Sequence, residues 1–405
     1  MLNESAPSNT GPLKGMRILE LGQLIAGPFA TTMLGYFGAE VIKIEPPGIG
    51  DPIRRWRSMK GDTSLWWYSI ARNKKSVTVD LRHPDGQALV RDLAAQCDVL
   101  VENFRPGVME EWQLGPEDLK AANPDLVYTR ISGYGQTGPY AEKPGFASVC
   151  EGISGFRHLN GFPGEAPVRP NLSLGDSIAS LHAIIGILMA LNARDRGVHK
   201  GQVVDVALYE TMFNMLESVV PEYAEEGIIR EASGTTLTGI VPTNTYRCQD
   251  GKFVIIGGNG DSIFKRLMTE IGRSDFAADA AMADNAGRVI HQQKIDDAIS
   301  HWCSQHTIRS VIEKLEAVRV PAGPIYNAED MANDPHFQAR GLFEKVAIDA
   351  DNSVTIPGMS PKLCGTPGGT QWAGPTLGQH TEQVLSELLG LQSEQLEQLK
   401  NNAVI

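Results

Sequence analysis

Apolar and polar positions follow two alternating rhythms along the first half of this chain. Arg17-Ile18-Leu19-Glu20-Leu21 is a short, almost continuous apolar run and predicts a buried strand. Residues 22–28 break that run as a loop. Residues 29–37 take a helical period closed by Gly38, and 40–45 return to the strand pattern. Strand, short helix and strand within about thirty residues make a βαβ unit, which requires a parallel pair joined by a right-handed crossover. The rhythm recurs: 76–81, 99–102 and 126–132 read as strands, with helical stretches at 84–96 and 116–122 between them. Such alternation predicts a doubly wound α/β domain with a parallel sheet.

Further along, 133–170 is rich in Gly and Pro and reads as long functional loops. The strongest helical period in the chain follows at 177–194, then a strand at 203–207 and a helix at 209–220. A change comes near Pro221. Residues 245–248 and 253–256 flank the turn dipeptide Asp250-Gly251 and predict a hairpin. Helical patterns then dominate 262–317, which points to a smaller second domain at 221–329 and a larger one from 1–220 and 330–405. Near the end, 357–369 is irregular and 381–389 helical. Neither an internal repeat nor a low-complexity tract interrupts the chain.

Composition narrows the possibilities. With 42% hydrophobic residues in 405, the chain can bury a sizeable core and is neither disordered nor collagen-like. Acidic residues outnumber basic ones 48 to 36, and no Lys/Arg stripe opposes the net charge of -12, so nucleic acid is not an expected partner. Five scattered cysteines without a CxxC pair point to reduced thiols in the cytoplasm. Residues 1–12 lack a basic or apolar leader, and the longest apolar stretch, 181–191, is too short to span a bilayer; a soluble protein without a membrane partner is expected.

Several familiar chemistries lack their residues. The loop after the first strand reads Gly22-Gln23-Leu24-Ile25-Ala26-Gly27, without the GxGxxG spacing of dinucleotide sites. A Walker A motif, an HExxH pair and a GxSxG elbow are missing as well. The most informative stretch is Gly175-Asp176-Ser177-Ile178, which runs into the long helix. Asp176 stands where an N-cap belongs, and capping would account for it. The same geometry also presents a carboxylate at the positive end of a helix dipole, beside a glycine that lets a substrate approach, which suits a covalent nucleophile. Local sequence leaves both readings open.

Read together and in order, a series of blocks resembles the class III CoA-transferases over nearly the whole chain. They are 21–28 with 35–45, Asn73-Lys74-Lys75-Ser76, Asp80-Leu81-Arg82, Glu102-Asn103-Phe104-Arg105-Pro106-Gly107, 133–139, Gly175-Asp176, 201–206 and Leu377-Gly378-Gln379-His380-Thr381. The resemblance implies a large Rossmann-like domain built from both chain ends, a small inserted α+β domain, and two ring-like copies interlocked as a homodimer. It makes Asp176 the nucleophile, and CoA or an acyl-CoA a substrate rather than a tightly bound cofactor. CoA is expected against Ile25 and Ala26, against Val79, Leu81 and Arg82, and against Asn103, Phe104 and Arg105. Lys143 lies one position from a family lysine that meets the CoA phosphates. Glu111 and Pro46 stand where many members carry arginine, so the diphosphate contacts cannot be copied whole.

The resemblance also orders the possible reactions. Related α-methylacyl-CoA racemases commonly use a histidine where this chain has Phe146, and phenylalanine cannot move a proton. Formyl-CoA:oxalate transferases commonly have a Tyr-Glu pair at Phe146-Ala147 and a glutamine at Ile25. The closer likeness is to transferases that move CoA from succinyl-CoA to C4 or C5 dicarboxylates of the malate, citramalate, mesaconate and itaconate class. Phe146 then becomes a wall of the acyl pocket, and the loop 234–239 is the expected shield against water. The remote carboxylate of the acceptor needs a cation, and Arg169 is the first candidate, with Arg157 and Arg55 behind it. A non-catalytic acyl-CoA-binding subunit that keeps the fold is the alternative from another class.

Overall fold

The six strands expected in the first half lie in one sheet: β1 (Arg17–Glu20), β2 (Glu40–Glu45), β3 (Lys74–Thr78), β4 (Val99–Glu102), β5 (Val127–Ser132) and β6 (Val203–Ala207). The structure is a computed structural model and describes residues 11–405. All five neighbouring pairs are parallel, in the order β3-β2-β1-β4-β5-β6. That is the doubly wound order, in which successive crossovers turn away from each other at β1 and β4. Strand β3 lies two to three residues before its expected place. Lys74, a poor strand signal, is nonetheless buried there because its ammonium group reaches Glu20 at 2.7 Å.

Both faces of this sheet meet an apolar core, and the central strands β1 and β4 read as nearly continuous runs. Ile18, Val41, Val99 and Val101 point to one core and Leu19, Ile42, Ile44 and Leu100 to another on the opposite face. The first core is covered by helices α1 (Ala26–Tyr36) and α4 (Leu174–Asp195), through Ala30, Leu34, Ala179, Ala183 and Ile187. The second is covered by α2 (Pro84–Ala94) and by two C-terminal helices, α5 (Thr381–Leu389) and α6 (Ser393–Asn401), through Leu89, Leu93, Leu385 and Leu396. The C-terminal segment is tied in by main-chain bonds as well: Thr78 N–H donates to Thr381 Oγ1 at 2.9 Å, and Asp80 N–H to the Val404 carbonyl at 2.8 Å.

Helix α1 begins three residues before the expected start. Pro28 falls in its first turn, where the N–H that proline lacks would have no intrahelical partner. The helix expected at 209–220 is two pieces, Leu208–Phe213 and Val219–Glu226, with Glu217 at φ +51 between them. A hairpin of Phe343–Ala347 with Ser353–Pro357 was not legible in the sequence. Helix α4 has the length and apolarity of a membrane span, the only such helix among the described residues, yet it is built into the core of the first unit.

The described chain divides into two compact units. The first contains residues up to 156, Pro170–Glu226 and Gln338–Ile405; the second contains Arg157–Arg169 and Gly227–Phe337. The second thus takes up 157–169, which sequence reading left with the larger domain, because loop packing rather than local pattern decides membership. Its three-stranded antiparallel sheet pairs Phe253–Gly257 with Thr243–Arg247 and with Ala322–Pro324. Phe264, Leu267, Ile295, Ile299, Val311 and Leu315 form its core.

Candidate active site

The carboxyl ends of β1 and β4 diverge where the strand order reverses, the place at which open α/β sheets bind ligands. A cavity of about 490 Å³ lies at these ends. Its walls come from residues 23–26 after β1, 103–106 after β4, and 131–133 at the end of β5. Lys143, Phe146 and Asp176 are among its other lining residues.

Asp176 enters from the first turn of α4. Ser173 occupies the N-cap position, without a side-chain cap bond, and Asp176 is the third helical residue. The capping explanation offered by local sequence therefore does not hold. What the helix start does supply is the positive end of a dipole beside a carboxylate. Two contacts fix this turn. The Ser180 hydroxyl lies 2.7 Å from the Asp176 carbonyl and 2.6 Å from the Ala26 carbonyl and shares its one proton between them, joining α4 to the start of α1. Glu151, fully buried on helix α3 (Ala147–Ile153), accepts the Gly175 N–H at 3.2 Å. Burial pushes the neighbouring Cys150 thiol up to about 11, and the Asp176 and Glu151 carboxylates add to it.

The turn after β4 is equally constrained. Glu102 accepts the Phe104 N–H at 2.7 Å and pairs with Arg130 at 2.8 Å, and Arg130 also pairs with Glu110 at 2.6 Å. Burial pushes the Glu102 carboxyl up to about 7 against the opposing pull of Arg130. Asn103 turns its amide back toward the first loop. Its Oδ1 accepts the Gln23 N–H at 2.7 Å and its Nδ2 donates to the Gln23 carbonyl at 2.8 Å. Phe104 stacks edge-on against Trp112 at 5.1 Å.

Of the residues singled out from sequence, Ile25, Ala26, Asn103, Phe104, Arg105, Lys143, Phe146 and Asp176 line this one cavity. Arg105 and the Lys143 ammonium, which sits over the Tyr140 ring at 3.5 Å, are its cationic residues. Three others lie elsewhere in the first unit. Val79 is packed in the core, Leu81 packs against that core, and Arg82 is 75% exposed and paired with Asp80 at 3.0 Å. Arg169 belongs to the second unit. Sequence reading missed Glu151, Ser180 and Ser132. The last lines the cavity with a buried hydroxyl that has no hydrogen-bond partner among the described residues. None carries a spacing signal, since a single polar residue inside an apolar helix or strand becomes visible only through what it meets.

Residues 13–381 match the family model for CoA-transferase family III. The chain belongs to CoA-transferase family III. Among curated members, it is 46% identical over 396 residues to the succinyl-CoA–D-citramalate CoA-transferase of Chloroflexus aurantiacus, covering 97% of this chain and 98% of that one. It is 42% identical to a succinyl-CoA–L-malate CoA-transferase alpha subunit of the same organism, with 97% and 92% covered. The human succinyl-CoA:glutarate CoA-transferase is 30% identical, with 99% and 92% covered. A crystal structure of a CAIB/BAIF family protein from Brucella suis superposes with a TM-score of 0.82 at 32% identity, spanning 93% of this chain and 99% of that one. The likeness to that structure extends to the mixed α/β fold with its parallel sheet.

Proposed function

We propose that this enzyme moves CoA from succinyl-CoA to a C4 or C5 dicarboxylic acid, with Asp176 as the covalent nucleophile. The observation that carries this reading is the convergence of Asp176, the loops after β1 and β4, Arg105 and Lys143 on one cavity. The names of the citramalate, malate and glutarate relatives support the substrate class.

The steps follow from the carboxylate. Asp176 attacks the succinyl thioester carbonyl, the C–S bond breaks, and CoA leaves as thiolate, giving an aspartyl–succinyl mixed anhydride. The thiolate attacks the aspartyl carbonyl of that anhydride, forming an aspartyl–CoA thioester and releasing succinate. The acceptor carboxylate then attacks the aspartyl thioester and expels the thiolate, which returns to the acceptor's carbonyl and frees Asp176. Dividing the exchange into covalent steps spares a weak carboxylate from attacking a dilute thioester. Asp176, the CoA thiolate and the acceptor carboxylate supply every nucleophile, so the cycle needs no tightly bound cofactor.

Arg105 and Lys143 are assigned to the CoA phosphates, Phe146 to the acyl wall, and Arg169 to the remote carboxylate of the acceptor. A large CoA-binding domain and a small inserted one, two copies interlocked as a cytoplasmic homodimer, complete the reading. Supporting the homodimer, Leu181, Ile185, Leu188 and Met189 form an exposed apolar stripe along α4, and continuous faces of this kind meet a partner. Incubation of the purified chain with succinyl-CoA and a panel of mono- and dicarboxylic acids tests the activity. Asp176→Asn should lower transfer by roughly a thousandfold or more while the fold persists. Near-normal turnover by folded Asp176→Asn would overturn the mechanism.

A further inference from the structure

Leu24 holds φ +62, a left-handed conformation that few residues other than glycine adopt. Nothing in a leucine favours that backbone, so its surroundings must impose it. The main contact is Asp51, whose two carboxylate oxygens accept the Leu24 N–H at 3.1 and 3.2 Å. Asp51 is buried and is itself held by Lys43 at 2.9 Å. Lys43 also meets Glu20 at 2.7 Å and donates to the Gly22 carbonyl at 2.8 Å. Beyond it, Lys74 meets Glu20 at 2.7 Å and donates to the Pro28 carbonyl at 2.7 Å. Two buried acids and two buried lysines therefore grip the loop at the Gly22 carbonyl and the Leu24 N–H, and the first turn of α1 at the Pro28 carbonyl.

Buried ion clusters of this kind add little net stability compared with apolar packing, because desolvation offsets the attraction. Their effect here is geometric. We propose that Asp51, backed by Lys43, Glu20 and Lys74, is a positioning residue that locks Leu24 in the left-handed conformation and so sets Ile25 and Ala26 for the CoA thioester. The proposal rests on the CoA-transferase reading of the cavity. The gripped loop is coupled to the nucleophile's turn, since the Ser180 hydroxyl bonds both the Ala26 and Asp176 carbonyls. Without Asp51, the intrinsic cost of a left-handed leucine would deplete the competent loop roughly five- to thirtyfold.

Two variants test this, read by hydrogen–deuterium exchange of a peptide spanning 22–28 and by calorimetric binding of free CoA. Asp51→Asn keeps the volume and weakens the grip. Leu24→Pro leaves the ion cluster intact but fixes φ near −65° and removes the N–H, so it remains informative if Asp51→Asn fails to fold. Exchange across the loop should quicken in Asp51→Asn, and the CoA dissociation constant should rise roughly five- to thirtyfold in both variants. Leu24→Gly, which tolerates positive φ, should bind CoA distinctly better than Leu24→Pro. Wild-type CoA affinity in folded Leu24→Pro, or unchanged exchange in Asp51→Asn, overturns the clamp. Exchange needs no substrate, so faster exchange in Asp51→Asn supports the clamp even if the wild-type chain binds no CoA, and only the functional reading would then fall.

Discussion

Replacing Gly175 by alanine sets two effects against each other beside Asp176, the proposed nucleophile. Within a helix, alanine is favoured over glycine by about 1 kcal/mol. The added methyl, however, would lie 3.2 Å from the Ala147 Cβ and 3.4 Å from both Cγ and Oε1 of Glu151. Both neighbours are buried on α3, so neither can swing into solvent. Overpacking of this sort costs about 1–3 kcal/mol, which leaves a net loss of up to about 2 kcal/mol once the helix gain is subtracted. Relief of the contact by a few tenths of an ångström would shift the helix start and with it Asp176, the next residue. Because a misplacement of about 1 Å can cost a hundredfold, a shift of that smaller size should lower kcat roughly tenfold or less. Urea unfolding reads the first quantity, and succinyl-CoA-dependent transfer the second. Combining Gly175→Ala with Ala147→Gly removes the tightest contact and should recover part of both losses, a coupling of about 0.5–3 kcal/mol in the mutant cycle. A more stable, fully active Gly175→Ala, or a cycle with no coupling, would refute the packing argument.

Glu151→Ala should destabilise the protein by about 1–3 kcal/mol, since the buried Gly175 N–H loses its acceptor, whereas Glu151→Gln should retain most of that stability; urea midpoints compare them. Burial would raise the Glu20 carboxyl, but the Lys43 and Lys74 charges outweigh it and hold it down at about 2, against an ordinary 4.5. A depressed carboxylate contributes stability above 4.5 that is lost as pH falls toward 2, here about 3 kcal/mol. Acid titration of stability should therefore be flatter across that window in Glu20→Gln than in wild type, and identical slopes would count against the ion cluster. If Arg169 binds the remote carboxylate, Arg169→Gln should reduce kcat/KM for dicarboxylate acceptors about ten- to hundredfold while sparing monocarboxylates. Equal losses for both acceptor types would move that role elsewhere.

By itself the sequence determined the α/β class and the limits of β2, β4, β6 and α5, because strand and helix periods and their flanking breaks are written locally in the order of apolar and polar residues. The family was also legible there, since its blocks recur in order along nearly the whole chain, and that resemblance singled out Asp176 where the local sequence alone did not. Only the tertiary structure decided that Asp176 stands inside the helix rather than capping it. It also placed Val79 in the core while the neighbouring loops line the cavity, and gave 157–169 to the second unit. Glu151, Ser180 and Asp51 emerged only in three dimensions: each makes a hydrogen bond to a residue more than twenty positions away. Periodicity records which face of an element is buried, but it carries no information about which distant backbone group a buried polar side chain will meet. That partner is set by how the strands and helices pack.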